Sequence, residues 1–172
     1  MSLYKIQETV ILNSSGVNNI ILGDSNWDDS FDVYKLDIFD LEPLTDGTGL
    51  NIRFRTGGSS ISSADYHLAD ENMQSDASFS LGSSSNADKV GLFGMSFGSQ
   101  PSVITLYLFN FNSSSSYSLI SYDSAFTVAS GSTRGRYGGS HLDLVQSHNG
   151  VDIFTTASDG FKRIKCILYG IK

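Results

Sequence analysis

The chain is expected to be all-β, an antiparallel β-sandwich of jelly-roll-like type, because three features of its sequence agree. Apolar side chains recur at every second residue in short segments. Clusters of Gly, Ser, Asn and Asp separate those segments at close intervals, and no long window carries a capped amphipathic helical pattern. Only residues 64–73 have any helical spacing, so at most one short helix is expected.

The first eight residues, Met1-Ser2-Leu3-Tyr4-Lys5-Ile6-Gln7-Glu8, are polar at nearly every second position and read as a strand, not as a signal peptide or membrane anchor. A short strand follows at 17–22. Residues 31–41 alternate with a break near Lys35, which a bulge would explain by moving the pattern to the other face. In Leu50-Asn51-Ile52-Arg53-Phe54-Arg55 the apolar residues share one face and the polar ones the other, as in a half-buried strand. Residues 103–109 are β-branched and aromatic on both faces, which predicts a strand placed centrally between two layers. Further strands are expected at 77–81, 90–93, 117–122, 141–145, 151–155 and 162–169. In the last, Ile164, Cys166 and Leu168 alternate with Arg163, Lys165 and Ile167. The runs Gly82-Ser83-Ser84-Ser85-Asn86 and Asn112-Ser113-Ser114-Ser115-Ser116 read as turns, and Asn149-Gly150 is the dipeptide of a tight hairpin joining the strands around it.

With 172 residues and no linker-like stretch or internal repeat, one domain spanning 1–172 is expected. Eighteen acidic against eleven basic residues give a charge of −7, which disfavours nucleic acid and anionic membrane as partners. Only 17% of residues are charged while 40% are hydrophobic, so the exterior must be rich in neutral Ser, Thr, Asn and Gly. No apolar run approaches the roughly 18 residues of a membrane-spanning helix. A single cysteine excludes an internal disulfide or a Cys-based metal framework, and Cys166 itself sits mid-strand as a small buried hydrophobe.

Several constellations invite a chemical reading. Gly94-Met95-Ser96-Phe97-Gly98 has the form of a nucleophile elbow, with Asp123 or Asp143 and His141 or His148 following in hydrolase order. The elbow needs a strand-to-helix turn, whereas Ser99-Gln100-Pro101 is a loop, so an ordinary Gly/Ser turn is expected and no catalytic residue is assigned. Asp24-Ser25-Asn26-Trp27-Asp28-Asp29-Ser30 places oxygen ligands like a calcium loop. Asp29 stands where that loop needs glycine and Lys35 where it needs glutamate, which excludes an EF-hand but leaves open a looser calcium site near Asp24 and Asp28. His67, His141 and His148 lack metal-ligand spacing, and no metal or cofactor is assigned. Trp27 and the eight tyrosines either form a sugar-stacking platform or fill the core and an interface. Ser132-Thr133-Arg134-Gly135-Arg136-Tyr137-Gly138-Gly139 concentrates two arginines and a tyrosine in an acidic protein. Read as a loop, it makes Arg134, Arg136 and Tyr137 the candidate partner contacts, the alternative being a mobile solvated loop.

The C-terminal Gly160-Phe161-Lys162-Arg163-Ile164-Lys165-Cys166-Ile167-Leu168-Tyr169-Gly170-Ile171-Lys172 resembles the ending of small structural proteins of tailed phages, marine and cyanobacterial ones especially. Lys5-Ile6-Gln7-Glu8-Thr9-Val10, Ser25-Asn26-Trp27-Asp28-Asp29-Ser30-Phe31-Asp32-Val33-Tyr34 and Leu106-Tyr107-Leu108-Phe109-Asn110-Phe111 fit the same pattern, as does Leu50-Asn51-Ile52-Arg53-Phe54 with Gly57-Gly58. The resemblance implies a non-enzymatic virion component with a jelly-roll or related sandwich fold. The expected role is a capsid-surface decoration or cement protein, forming a homo-oligomer such as a trimer and contacting a major capsid or tail protein. The alternative is a tail-fibre or tail-tip adhesin module that binds host-surface glycan. An esterase using Ser96 stands third.

Overall fold

Period-two burial is plainest at residues 66–72, 104–108 and 119–126. The computed structural model describes every residue except 1, 13–16, 77, 93–101, 129 and 158–159. Its strands are β1 (Leu3–Ile11), β2 (Asn19–Gly23), β3 (Val33–Pro43), β4 (Leu50–Thr56), β5 (Ser59–Ser60), β6 (Tyr66–Gln74) and β7 (Phe79–Ala87). They continue with β8 (Val90–Leu92), β9 (Val103–Phe109), β10 (Leu119–Thr127), β11 (Thr133–Leu142), β12 (Gly150–Thr155) and β13 (Phe161–Ile171). A single 3-10 turn, Asp24–Asn26, is the only helical turn among the described residues.

The strands form two antiparallel sheets packed as a sandwich. The larger has eight strands in the order β1-β13-β3-β9-β10-β11-β6-β7. The smaller has the order β2-β12-β4-β5, with β8 also paired to β4. Leu36, Ile38, Ile104, Leu106, Leu108, Ile164, Cys166 and Leu168 of the large sheet meet Leu22, Ile52, Phe54, Val151 and Ile153 of the small one. All are fully buried. At roughly 1.5–3 kcal/mol for each large apolar side chain removed from water, this double layer is the main source of stability.

Several expected elements take a different form. Residues 66–73 lie in strand β6, not in a helix: Tyr66, Leu68, Asp70 and Asn72 point inward, and antiparallel pairing to both β11 and β7 overrides the weak helical spacing of 64–73. The Gly82-Ser83-Ser84-Ser85-Asn86 run expected as a turn is part of β7, paired to β6. Residues 132–139, expected as a loop, are mostly strand β11, paired on both sides. Asn149-Gly150 does not close a hairpin. It passes the chain from β11 in the large sheet to β12 in the small one, where the Asn149 carbonyl accepts from the Asp24 amide at 2.6 Å.

The break in β3 falls at Asp40, not near Lys35. Asp40 has φ 53°, and the register to β13 slips there, so the buried set changes from Tyr34, Leu36 and Ile38 to Leu41 and Pro43. Strand β9 is central in its sheet but covered on one face only, with Val103 and Tyr107 about 40% exposed on the other.

Candidate functional site

Register assigns the outward face of the large sheet. Cross-strand partners share a face, so Phe109, Leu119, His141 and His67 form one row, and Tyr107, Ser121, Gly139 and Ala69 the next. Beyond these come Asp37, Thr105, Asp123, Tyr137 and Glu71, and then Phe39, Val103, Ala125, Gly135 and Met73. The face therefore carries two apolar patches separated by a polar row. In the first, Tyr107 and Phe109 stack with centroids 6.4 Å apart. His67 and His141 lie parallel at 4.9 Å, and Tyr117 sits 5.8 Å from His141. Small residues beside these rings leave a shallow groove of about 410 Å³ floored by Ala69 and Gly139. The second patch holds a groove of about 440 Å³ between Phe39, Val103, Ala125 and Thr133.

The polar row is internally tied. Lys35 reaches Asp37 at 2.6 Å, and the Thr105 hydroxyl donates to the same carboxylate at 2.8 Å. The Tyr137 hydroxyl donates to the Glu71 carboxylate, which raises the phenol above its ordinary range.

Strand geometry divides the three candidate partner contacts. Tyr137 is on the outward face and 47% exposed, while Arg136 is 3% exposed and points into the sandwich. Its Nη2 donates to Asp70 Oδ1 at 2.6 Å, and the Tyr122 hydroxyl donates to the other carboxylate oxygen. Burial, reinforced by that carboxylate, pushes the Tyr122 phenol far up. Arg134 has the same parity as Arg136 and is half-buried nearer the strand end. Two glycines make the ion pair possible: a Cβ at Gly82 would lie 2.1 Å from Asp70 Oδ1, and one at Gly138 would lie 2.4 Å from Asp70 Cβ. Arg136 thus has no surface to offer a partner. The parity of Arg134, Arg136 and Leu142 is the sequence signal that points to this.

At one end of the sandwich, loops from both sheets gather around Trp27. Its ring packs 3.9 Å from Tyr34 and 5.8 Å from Phe111, and its Nε1 donates to Asn112 Oδ1 at 2.9 Å. Asn112 Nδ2 donates to the carbonyls of Asp29 and Phe31 and to the Tyr34 hydroxyl, at 2.7 to 3.0 Å. Trp27, Tyr34 and Asn112 therefore clamp the loop to the core. A cleft of about 320 Å³ opens beside the clamp, lined by Trp27, Thr56, Asn112, Ser147, His148 and Asn149. Asp24 turns away from Asp28 and accepts three hydrogen bonds from the Arg55 guanidinium at 2.9 to 3.1 Å, while Asp28 Oδ1 accepts from the Ser30 amide. No group of three or more metal-binding side chains forms among the described residues.

The remaining candidates are scattered. Ser96 and its Gly-x-Ser-x-Gly motif lie outside the described residues. Asp123 is on the outward face of β10, paired with Tyr137. Asp143 follows β11 and holds the Tyr117 hydroxyl. His141 is stacked on His67. His148 is 2% exposed against Phe54 and Phe111, and burial lowers its pKa to about 4, so it is neutral at pH 7. Cys166 is fully buried on β13 and burial raises its thiol to about 12, leaving little thiolate for chemistry. No family model, curated protein or solved structure matches the chain.

Proposed function

We propose that the chain is a non-enzymatic structural protein of a tailed-phage virion, a capsid-surface decoration or cement protein that seats the outward face of its large sheet on a shell protein. The observation that carries this reading is the arrangement of exposed large side chains on adjacent strands, with Val103, Tyr107, Leu119 and Tyr137 each about 37–47% exposed. Two apolar patches divided by a polar row have the composition of a protein interface: aromatic contact area with hydrogen-bonding groups that fix register. The likeness of the C-terminal strand to phage structural proteins supplies the particle as the setting.

The test is made on purified particles. The chain is expected at hundreds of copies per particle on a quantitative gel, and Tyr107→Asp with Leu119→Asp should abolish its rebinding to particles stripped of it. Absence from the particle, or rebinding unaffected by the double substitution, would sink the reading.

A second reading, a tail adhesin module holding a host-surface glycan, is favoured by the polar cleft beside Trp27. It predicts that the isolated protein binds host cells, that free sugar competes, and that substitutions lining the cleft, such as Thr56→Val, weaken binding while Tyr107→Asp does not.

A further inference from the structure

Sheet edges expose unpaired backbone groups and invite other strands, so the treatment of each edge is informative. The β1 edge carries Lys5 and Glu8, paired at 2.9 Å, with Lys165 at 2.8 Å from the same carboxylate. The rim of β2 is occupied by Gln7, whose Nε2 donates to the Ile21 carbonyl at 3.2 Å and whose Oε1 accepts from the Gly23 amide at 2.8 Å. At the other side of the small sheet, β5 and β8 are only two and three residues long.

Among the described residues, strand β7 has none of these protections. It runs for nine residues, Phe-Ser-Leu-Gly-Ser-Ser-Ser-Asn-Ala, without a charge or a proline, and is the terminal strand of its sheet. Phe79 and Leu81, on one face of it, are 69% and 87% exposed, the highest values among the described large apolar side chains. The carboxylates on neighbouring β6 are already engaged within the chain, Asp70 on the inward face by Arg136 and Tyr122, Glu71 on the outward face by Tyr137. In a chain of charge −7, the rim best suited to meet a copy of itself is therefore uncharged.

We propose that β7 pairs antiparallel with β7 of a second copy of this chain about a two-fold axis at Leu81. The occupant follows from self-complementarity. Such a pairing joins two neutral rims, sets Leu81 against Leu81 of the second copy and Phe79 against Ser83, and brings Phe79 diagonally within reach of the opposing Leu81. The bulge beside Asn86, at φ 52°, ends the regular stretch beyond the paired residues 79–83. This pairing does not depend on the chain residing in a particle.

Sedimentation of the full chain at increasing concentration should show the mass rising from 18.6 kDa to twice that value. Leu81→Lys, at an exposed position, should keep the circular dichroism spectrum and weaken the dimer at least about tenfold by setting two like charges opposite each other. Leu81→Cys should give a disulfide-linked dimer under mild oxidation, whereas Lys5→Cys on the opposite edge should not. The proposal is overturned by any of three results: a monomer persisting up to about 1 mM, a dimer that Leu81→Lys leaves intact, or a dimer that Leu81→Cys does not cross-link. Pairing of β7 with a strand of another protein in preference to its own copy would appear as the first of these.

Discussion

On the β1 flank of the large sheet an ion-paired cluster faces solvent, whereas on the β7 flank the ion pair is folded inward. Glu8 lies between Lys5 and Lys165, whose hydrogen bonds hold its carboxyl down to about 2, and beneath it Ile164, Cys166 and Leu168 are wholly apolar. On the other flank Asp70 and Arg136 are 0% and 4% exposed at the side chain, and the apolar Phe79 and Leu81 are left outside. The difference shows that the placement of charge decides which rim is closed. An ion pair spent on the interior cannot guard an edge, and that flank depends on glycine to make room for the pair.

The largest expected effect comes from breaking the interior pair. Asp70→Ala strands the Arg136 guanidinium in a water-poor site and should cost about 3–5 kcal/mol in a denaturant titration. Glu8→Ala on the opposite flank removes an exposed charge and should leave the denaturation midpoint unmoved. Equal effects from the two substitutions would erase the distinction between the flanks.

Acid provides the next test, because a third buried group loses stability by a different route. Burial lowers His148 to about 4 from an ordinary 6.5, so the unfolded chain takes up a proton that the folded chain refuses. Its contribution is complete above pH 6.5 and is lost as pH falls toward 4, amounting to roughly 3 kcal/mol. Stability measured across that window should fall in the native protein and fall less in His148→Phe. An unchanged slope would place the acid sensitivity elsewhere, with the ion-pair flank the next suspect. Smaller still is Gly138→Ala: the new methyl group meets Asp70 Cβ at 2.4 Å and should cost about 1–3 kcal/mol by forcing β6 and β11 apart. The same change at Gly135, where the nearest atom is the flexible end of Met73 at 3.3 Å, should be milder.

These contrasts also mark what could be read from the sequence. The β-sandwich was legible wherever one face is apolar: Leu50, Ile52 and Phe54, or Ile164, Cys166 and Leu168, alternate so cleanly that strand and buried face follow together. The β7 flank was not legible, because its inward face is polar. Arg136, Asp70, Asn72 and Ser124 occupy positions where the period-two signal requires hydrophobes, so β11 and the later half of β7 resemble loops and β6 resembles a weak helix. Asn149-Gly150 misled for another reason: local turn chemistry does not specify which sheet the next strand joins. Of the candidate contacts, Tyr137 lies on the outward face as a surface residue must, whereas Arg136 follows the parity of Leu142 into the interior, where Asp70 receives it. The outward patches and the terminal place of β7 in its sheet depend on register between strands far apart in sequence, which composition does not record.

The last prediction carries the smallest stability change and bears most directly on the two rims. Lys5 and Glu8 both lie on the outward face of β1, opposite Tyr169 and Ile167 of β13. Replacing both with leucine gives that rim the neutral, apolar character of β7 and removes only exposed charges, so the denaturation midpoint should hardly move. Association should change in kind. With β7 closing one two-fold junction and β1 newly able to form a second at the opposite end of the sheet, copies would join without closure, and sedimentation should show species growing well beyond the dimer. If Lys5→Leu with Glu8→Leu remains a dimer, charge is not what keeps the β1 edge free. The register slip between Lys5 and Gln7, which disturbs the straightness of that rim, would then be the feature that protects it.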